Sequence, residues 1–169
     1  MKHLYYPPAR LWPDYLRAIA GGGVCFGLVL LTTPQSVIFV LLTGLGLLFA
    51  WFGAHTLWRQ QIEIELDPSG IVQRNRWLPG RRRTIPWADI TEVRLRYYST
   101  RRDQSGGWML LTIKGRGEKV RVDSKLNGFS SLVRPALAAA DSLGIATDAA
   151  TRINAARMDV VTAGREAWQ

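Results

Sequence analysis

Residues 37–70, VIFVLLTGLGLLFAWFGAHTLWRQQIEIELDPSG, contain the change of pattern that decides the fold. Up to Trp58 the stretch is apolar and uncharged, which meets the roughly 20-residue length needed to cross a hydrocarbon core of about 30 Å. From Ile62 the period becomes two. Ile62, Ile64 and Leu66 alternate with Glu63 and Glu65, and Asp67-Pro68-Ser69-Gly70 closes the segment as a turn. A transmembrane helix is therefore expected to lead almost directly into a strand.

Upstream, no Asp, Glu, Lys or Arg lies between Arg17 and Arg59, and only Thr32-Thr33-Pro34-Gln35-Ser36 interrupts the apolar run. This predicts a hairpin of two helices. The first span, Ala18 to Thr33, is short; it reaches span length when Tyr15 and Leu16 are included with Arg17 snorkelling, or when the helix continues through Pro34. Lys2, Arg10, Arg17 and Arg59 flank an uncharged connection, so the positive-inside rule places both termini in the cytoplasm. Trp12, Tyr15 and Trp58 stand where an interfacial aromatic belt belongs. Ala18 and Gly22, and separately Gly23 and Gly27, in the first span, with Gly46, Ala50 and Ala54 in the second, put small residues at four-residue spacing, and Gly23, Gly27, Gly46, Ala50 and Ala54 are the candidates for helix packing. Such faces serve packing of the two helices on each other or docking onto another membrane protein, and both remain open. His55 reads as an interfacial hydrogen-bonder.

The single cysteine, Cys25, lies in the apolar run, which excludes a disulfide framework and a thiolate metal site. Val24 before it does not suit lipid attachment. A cleavable signal peptide would be compatible with the first span, but the second apolar run close behind argues against it.

Downstream, alternation gives six strands: around Ile62 to Leu66, Ile71 to Trp77, Arg81 to Trp87, Val93 to Tyr97, Met109 to Ile113, and Val120 to Val122. After Asn127-Gly128 the period becomes helical. Phe129, Leu132, Val133, Ala136, Leu137, Ala140 and Leu143 form one apolar face, stopped by Gly144, with Ser131 as the expected N-cap and Pro135 in the first turn. A further helix over 147–163 would present Ile153, Ala156 and Val160 on one side.

The hairpin, then IELDPSGIVQRNRW (64–77), IPWADITEVRL (85–95), another hairpin and a final amphipathic helix resemble the bacterial membrane-anchored PH-like domain proteins over roughly residues 10–144. Ile85-Pro86-Trp87-Ala88-Asp89-Ile90 with Val93 carries most of the likeness. The resemblance implies a mainly β PH-like barrel of seven antiparallel strands, one more than alternation finds, closed by the C-terminal helix. It also implies a multi-pass protein of the bacterial inner membrane. The expected division is an N-terminal cytoplasmic segment (1–14), a transmembrane hairpin (15–58), the PH-like domain (59–144) and a C-terminal tail (145–169).

The net charge of +9 is local: residues 74–121 hold thirteen Lys or Arg against four Asp or Glu. Arg81, Arg82, Arg83, Arg94, Arg96, Arg101 and Arg102 are therefore candidates for binding anionic lipid or a protein partner. PH domains that bind phosphoinositides use a basic first hairpin, whereas here that turn is Asp67-Pro68-Ser69-Gly70, and only Arg74 and Arg76 match. Trp77, Trp87 and Trp108 are candidates for core or for an aromatic contact patch. No His, Cys, Asp or Glu cluster has metal-ligand spacing, Glu63 and Glu65 follow ordinary strand alternation, and Ser124-Lys125 reads as a turn. Gly106-Gly107 and Gly115-Arg116-Gly117 lack nucleotide-loop spacing. The expectation is a non-enzymatic module without cofactor, small-molecule substrate or nucleic acid, whose partners are the bilayer and another membrane protein or a second copy: an accessory or assembly factor of a membrane complex at the cytoplasmic face or, alternatively, a sensor of anionic lipid through its loop arginines.

Overall fold

The computed structural model describes residues 2–31, 35–99 and 107–166. The chain forms two compact units, one of residues 6–62 and one that joins residues 1–5 to residues 63–169.

The first unit is a pair of helices, α1 (Pro8–Leu31) and α2 (Ser36–Gln60), both long and apolar enough to cross a membrane. Helix α1 begins earlier than the expected Tyr15, because Pro8 suits the first helical position, where its missing N–H costs nothing. Its opening turns are polar. Asp14, 7% exposed, pairs with Arg17 at 3.2 Å, the Tyr15 hydroxyl donates to Gln60 Oε1, and the Arg59 guanidinium lies 5.4 Å from the centre of the Tyr6 ring. Beyond this collar the surface is apolar, with Leu30, Leu31, Val37 and Trp51 largely exposed.

Packing of α1 on α2 uses glycine where a side chain would collide. A Cβ on Gly21 would stand 2.4 Å from the Phe49 ring, one on Gly46 would stand 2.9 Å from Phe26, and one on Gly53 would stand 3.2 Å from the Ala18 methyl. Gly23 and Gly27 have nothing within 4 Å of such a position, and Ala50 and Ala54 are exposed. Of the small residues at four-residue spacing, Ala18, Gly22 and Gly46 lie where the facing helix is met, and Gly21 and Gly53 join them. Gly46→Leu is therefore expected to weaken the helix pair by about 1–3 kcal/mol through overpacking, and Gly23→Leu to leave it unchanged. Thermal unfolding of the detergent-solubilised chain, followed by helix circular dichroism, distinguishes the two.

The second unit contains seven strands in two antiparallel sheets. One has the order β1-β2-β3-β4, from β1 (Lys2–Tyr5), β2 (Ile62–Asp67), β3 (Gly70–Asn75) and β4 (Leu78–Pro86). The other has the order β5-β6-β7, from β5 (Ile90–Tyr98), β6 (Trp108–Gly115) and β7 (Glu118–Asp123). All six expected strands are present. The seventh is β1, which precedes the helical hairpin in sequence and pairs with β2 in the register Leu4↔Ile64 and Tyr5↔Glu63.

The expected barrel is not closed. Backbone pairing stops at β4 and β7, and there Arg83 reaches across to donate to the Lys119 carbonyl at 3.2 Å and to pair with Glu118 at 3.3 Å. A long charged side chain thus bridges the two sheet edges where a ladder would otherwise run. The IPWADI segment forms the corner between the sheets. Ile85 and Ile90 are buried, Trp87–Asp89 makes a 3-10 turn, and the Trp87 indole N–H donates to the Asp67 carbonyl at 3.1 Å. Trp87 is half-buried and serves as a strut between turns.

The core is built from Leu4, Ile64, Ile71 and Ile85 of the first sheet with Val93, Leu95, Leu111, Ile113, Val120 and Val122 of the second. Helix α3 (Phe129–Ser142) adds Phe129, Leu132, Val133, Ala136 and Ala140. It starts one turn before the expected cap: Gly128, at φ +72°, is the N-cap, Pro135 lies inside the helix, and Ser131 Oγ instead accepts from Lys2 Nζ at 2.8 Å. Its C-terminus is as expected. Gly144 adopts φ +66°, and the amides of Gly144 and Ile145 return to the carbonyls of Asp141 and Ala140, satisfying two terminal acceptors.

Helix α4 (Ala149–Glu166) follows. Its buried residues are Thr151, Asn154 and Met158, whereas Ile153 is 55% exposed and Ala156 is exposed. Sequence periodicity therefore selects a different face, and Val160 lies outside the residues whose side chains are described. The reason is the edge of β5. Leu95 N–H donates to Thr151 Oγ1 at 3.0 Å, and Asn154 Nδ2 donates to the Leu95 carbonyl at 2.9 Å, so polar side chains of α4 occupy the place of another strand. Asp148 caps the helix by accepting from the Thr151 amide at 2.8 Å, and it pairs with Arg96 at 2.5 Å.

Those bonds to Thr151, then Arg96, lower the Asp148 carboxyl from 3.8 to about 2. Because the folded-state value lies below the unfolded one, the contribution of this carboxylate to stability is complete above 3.8 and is lost as pH falls through about 2. Acidification across that window is expected to speed amide exchange at Leu95 and in α4, and Asp148→Asn is expected to remove the dependence.

Candidate functional surface

Strand alternation turns one face of β5-β6-β7 to the core and the other to the exterior. The pairing register assembles the outer face from four rows: Tyr98↔Trp108; Arg96↔Leu110↔Asp123; Arg94↔Thr112↔Arg121; and Glu92↔Lys114↔Lys119. Five cations and two carboxylates share this face.

Part of the charge is satisfied locally. The Glu92 carboxylate is held between Arg94 and Lys114, the latter at 2.7 Å, and Arg96 is engaged by Asp148. The hydrogen bond from Lys114, reinforced by the charges of Arg94 and Lys119, holds Glu92 below the usual carboxylate range. Lys119 is pushed below the usual lysine value by desolvation and then by the neighbouring charges of Arg121, Lys114 and Arg94. Neither Lys119 nor Arg121 makes an ion pair among the described residues. The net field of this face is positive.

Beside the cations, Tyr98 and Trp108 stack with ring centres 4.7 Å apart and 24° between planes, and both remain more than two-fifths exposed. An exposed aromatic pair next to arginine is the composition favoured at the centre of protein interfaces. Among the described residues, no group of three or more His, Cys, Asp or Glu is placed to hold a metal ion.

The candidate arginines do not form one cluster. Arg94 and Arg96 share the outer face, Arg82 is exposed on β4, and Arg83 bridges the sheet edges. Nothing is described of the Arg81 side chain, and Arg101 and Arg102 lie outside the described residues. Arg74 is bound to Glu65 at 2.8 Å, with His3 at 3.7 Å on the same carboxylate, so the resemblance to a phosphoinositide motif at Arg74 is used up internally. Lys114, Lys119 and Arg121 were not singled out by sequence. Their signal was the regular alternation of Lys119 and Arg121 with Val120 and Val122, which becomes a patch only when three strands are set in register.

Compared with known proteins, the chain matches no family model, no curated protein and no solved structure.

Proposed function

We propose that the protein is a non-enzymatic, membrane-anchored PH-like interaction module that holds a protein partner at the cytoplasmic face of a bacterial inner membrane, as an accessory or assembly factor. The observation that carries this reading is the outer face of β5-β6-β7, where the Tyr98–Trp108 stack adjoins Arg96, with Arg94 and Arg121 in the next row and Lys114 and Lys119 in the row beyond. Its chemistry suits an acidic, partly apolar segment of a partner protein.

Membrane anchoring is supported by the helix pair, whose Leu, Val and Trp side chains face outward rather than into a core. In water such a surface is costly; in lipid it is not. Pairing of β1 with β2 supports a hairpin whose two ends lie on one side of the membrane, and the flanking Lys and Arg favour the cytoplasm as that side. The sequence likeness to PH-like proteins supports the architecture, with the two sheets as an open variant of the barrel, and leaves the partner to be identified by contact.

The test is photo-crosslinking of the full chain in native membranes from a reactive side chain placed at Trp108. Discrete protein adducts are expected, and Arg94→Glu with Arg121→Glu should abolish them. Recovery of the uncrosslinked chain alone, or adducts indifferent to charge reversal, contradicts the proposal.

A further inference from the structure

The β3–β4 turn has a different chemistry from the face just described. Asn75 is buried, and its Oδ1 accepts from the amides of Trp77 at 2.9 Å and Leu78 at 3.3 Å, which fixes the turn around Arg76 and Trp77. Trp77 is nevertheless 53% exposed and Leu78 43%. Arg76 and Arg82 beside them are exposed. From Asp67 to Asp89 the chain contains five arginines and no intervening acidic residue. A fixed turn that exposes an indole and a leucine with Arg76 and Arg82 beside them has the character of an interfacial anchor: the apolar groups suit the headgroup boundary and the guanidinium groups suit anionic lipid.

Sheet topology places this turn at a telling end. Tyr5 of β1 and Glu63 of β2 are paired where the chain leaves for the helices. Strand β2 runs away from that end for six residues, and β3 returns over six, so the β3–β4 turn is level with the start of β2 and about 10 Å to its side at two strand spacings. Only Tyr6-Pro7 separate β1 from α1, and only Gln61 separates α2 from β2. The chain has little length with which to withdraw this end of the sheet from a bilayer that the helices cross.

We propose that Trp77 and Leu78, flanked by Arg76 and Arg82, form a membrane-docking site that inserts into the headgroup region of an anionic leaflet. This rests on the membrane-anchored reading above. Its role is to fix the orientation of the β unit, leaving the β5-β6-β7 face for a protein partner.

The test uses the full chain with Cys25→Ser in nanodiscs of phosphatidylcholine with about one-third phosphatidylglycerol. A fluorescent probe is placed in turn at Leu78→Cys, Ser69→Cys and Leu47→Cys, and quenching by shallow and deep nitroxide lipids is measured. The Leu78 probe is expected to be quenched by shallow nitroxide, and the Ser69 probe, at the opposite end of the sheet, to be spared. Arg76→Glu with Arg82→Glu should reduce the docked-to-free ratio by roughly fivefold or more per residue, and added salt should act in the same direction.

Equal quenching at Leu78 and Ser69, or none at Leu78, overturns the proposal when the Leu47 probe is quenched by deep nitroxide. Absence of deep quenching at Leu47 instead overturns the membrane-anchored reading, and this proposal with it. A Leu78 probe that is solvent-exposed in nanodiscs but shielded in native membranes assigns the turn to a protein and equally overturns docking on lipid.

Discussion

Replacing Leu4 with Asp is expected to unfold the β unit, although the substitution lies at the start of the chain and far in sequence from the other strands. Leu4 is 2% exposed and paired with Ile64, and a Cβ on Gly128 would come within 2.7 Å of it. The Tyr5 carbonyl also accepts from the Asn127 amide at 2.9 Å, so β1 ties the sheet to the start of α3. Leu4→Ala should cost about 2–5 kcal/mol through lost burial and the cavity left behind. Asp adds the penalty of an unpaired buried charge, and the sum reaches the whole stability of an ordinary domain, roughly 5–15 kcal/mol. Hydrogen exchange of the full chain in detergent should show protection lost across β2 and α3; unchanged protection would remove β1 from the fold.

The second large effect is expected at the edge of β5. Thr151→Val with Asn154→Leu leaves the Leu95 N–H and carbonyl without their partners in a buried site, at about 1–3 kcal/mol for each group. Helix α4 should then detach, with fast exchange over residues 149–158, while α3 and the sheets keep their protection. Retention of slow exchange in α4 would mean that Met158 and the Asp148–Arg96 pair suffice to hold it.

These two positions also show where reading the sequence succeeds and where it stops. Six strands were legible because their alternation is local: Val93, Leu95 and Tyr97 against Glu92, Arg94 and Arg96 needs no partner to be recognised. Strand β1 was not, since Lys-His-Leu-Tyr contains one buried side chain and its partner lies beyond two helices. In α4 hydrophobic periodicity selected Ile153 and Ala156, while the real contact is made by a hydroxyl and an amide meeting backbone groups. Along the membrane-length part of the helix pair the surface is apolar throughout, so small-residue spacing picked out Ala18, Gly22 and Gly46, which meet the opposing helix, together with Gly23 and Gly27, which do not, and it missed Gly21 and Gly53. The surface followed the same rule. Arg94 and Arg96 could be paired along one strand, but Lys114, Lys119 and Arg121 joined them only through cross-strand register.

The position of β1 has a bearing on biosynthesis. The ribosome makes this strand before the hairpin, and only after the hairpin the strand that it must join. On the membrane-anchored reading, a chain that threads one helix, or inserts the pair with its ends on opposite sides, leaves β2 with an open edge and Leu4 without its pocket. Completion of the sheet then serves as a checkpoint on insertion, because a misthreaded chain carries an exposed strand edge and a destabilised domain for quality-control proteases to recognise.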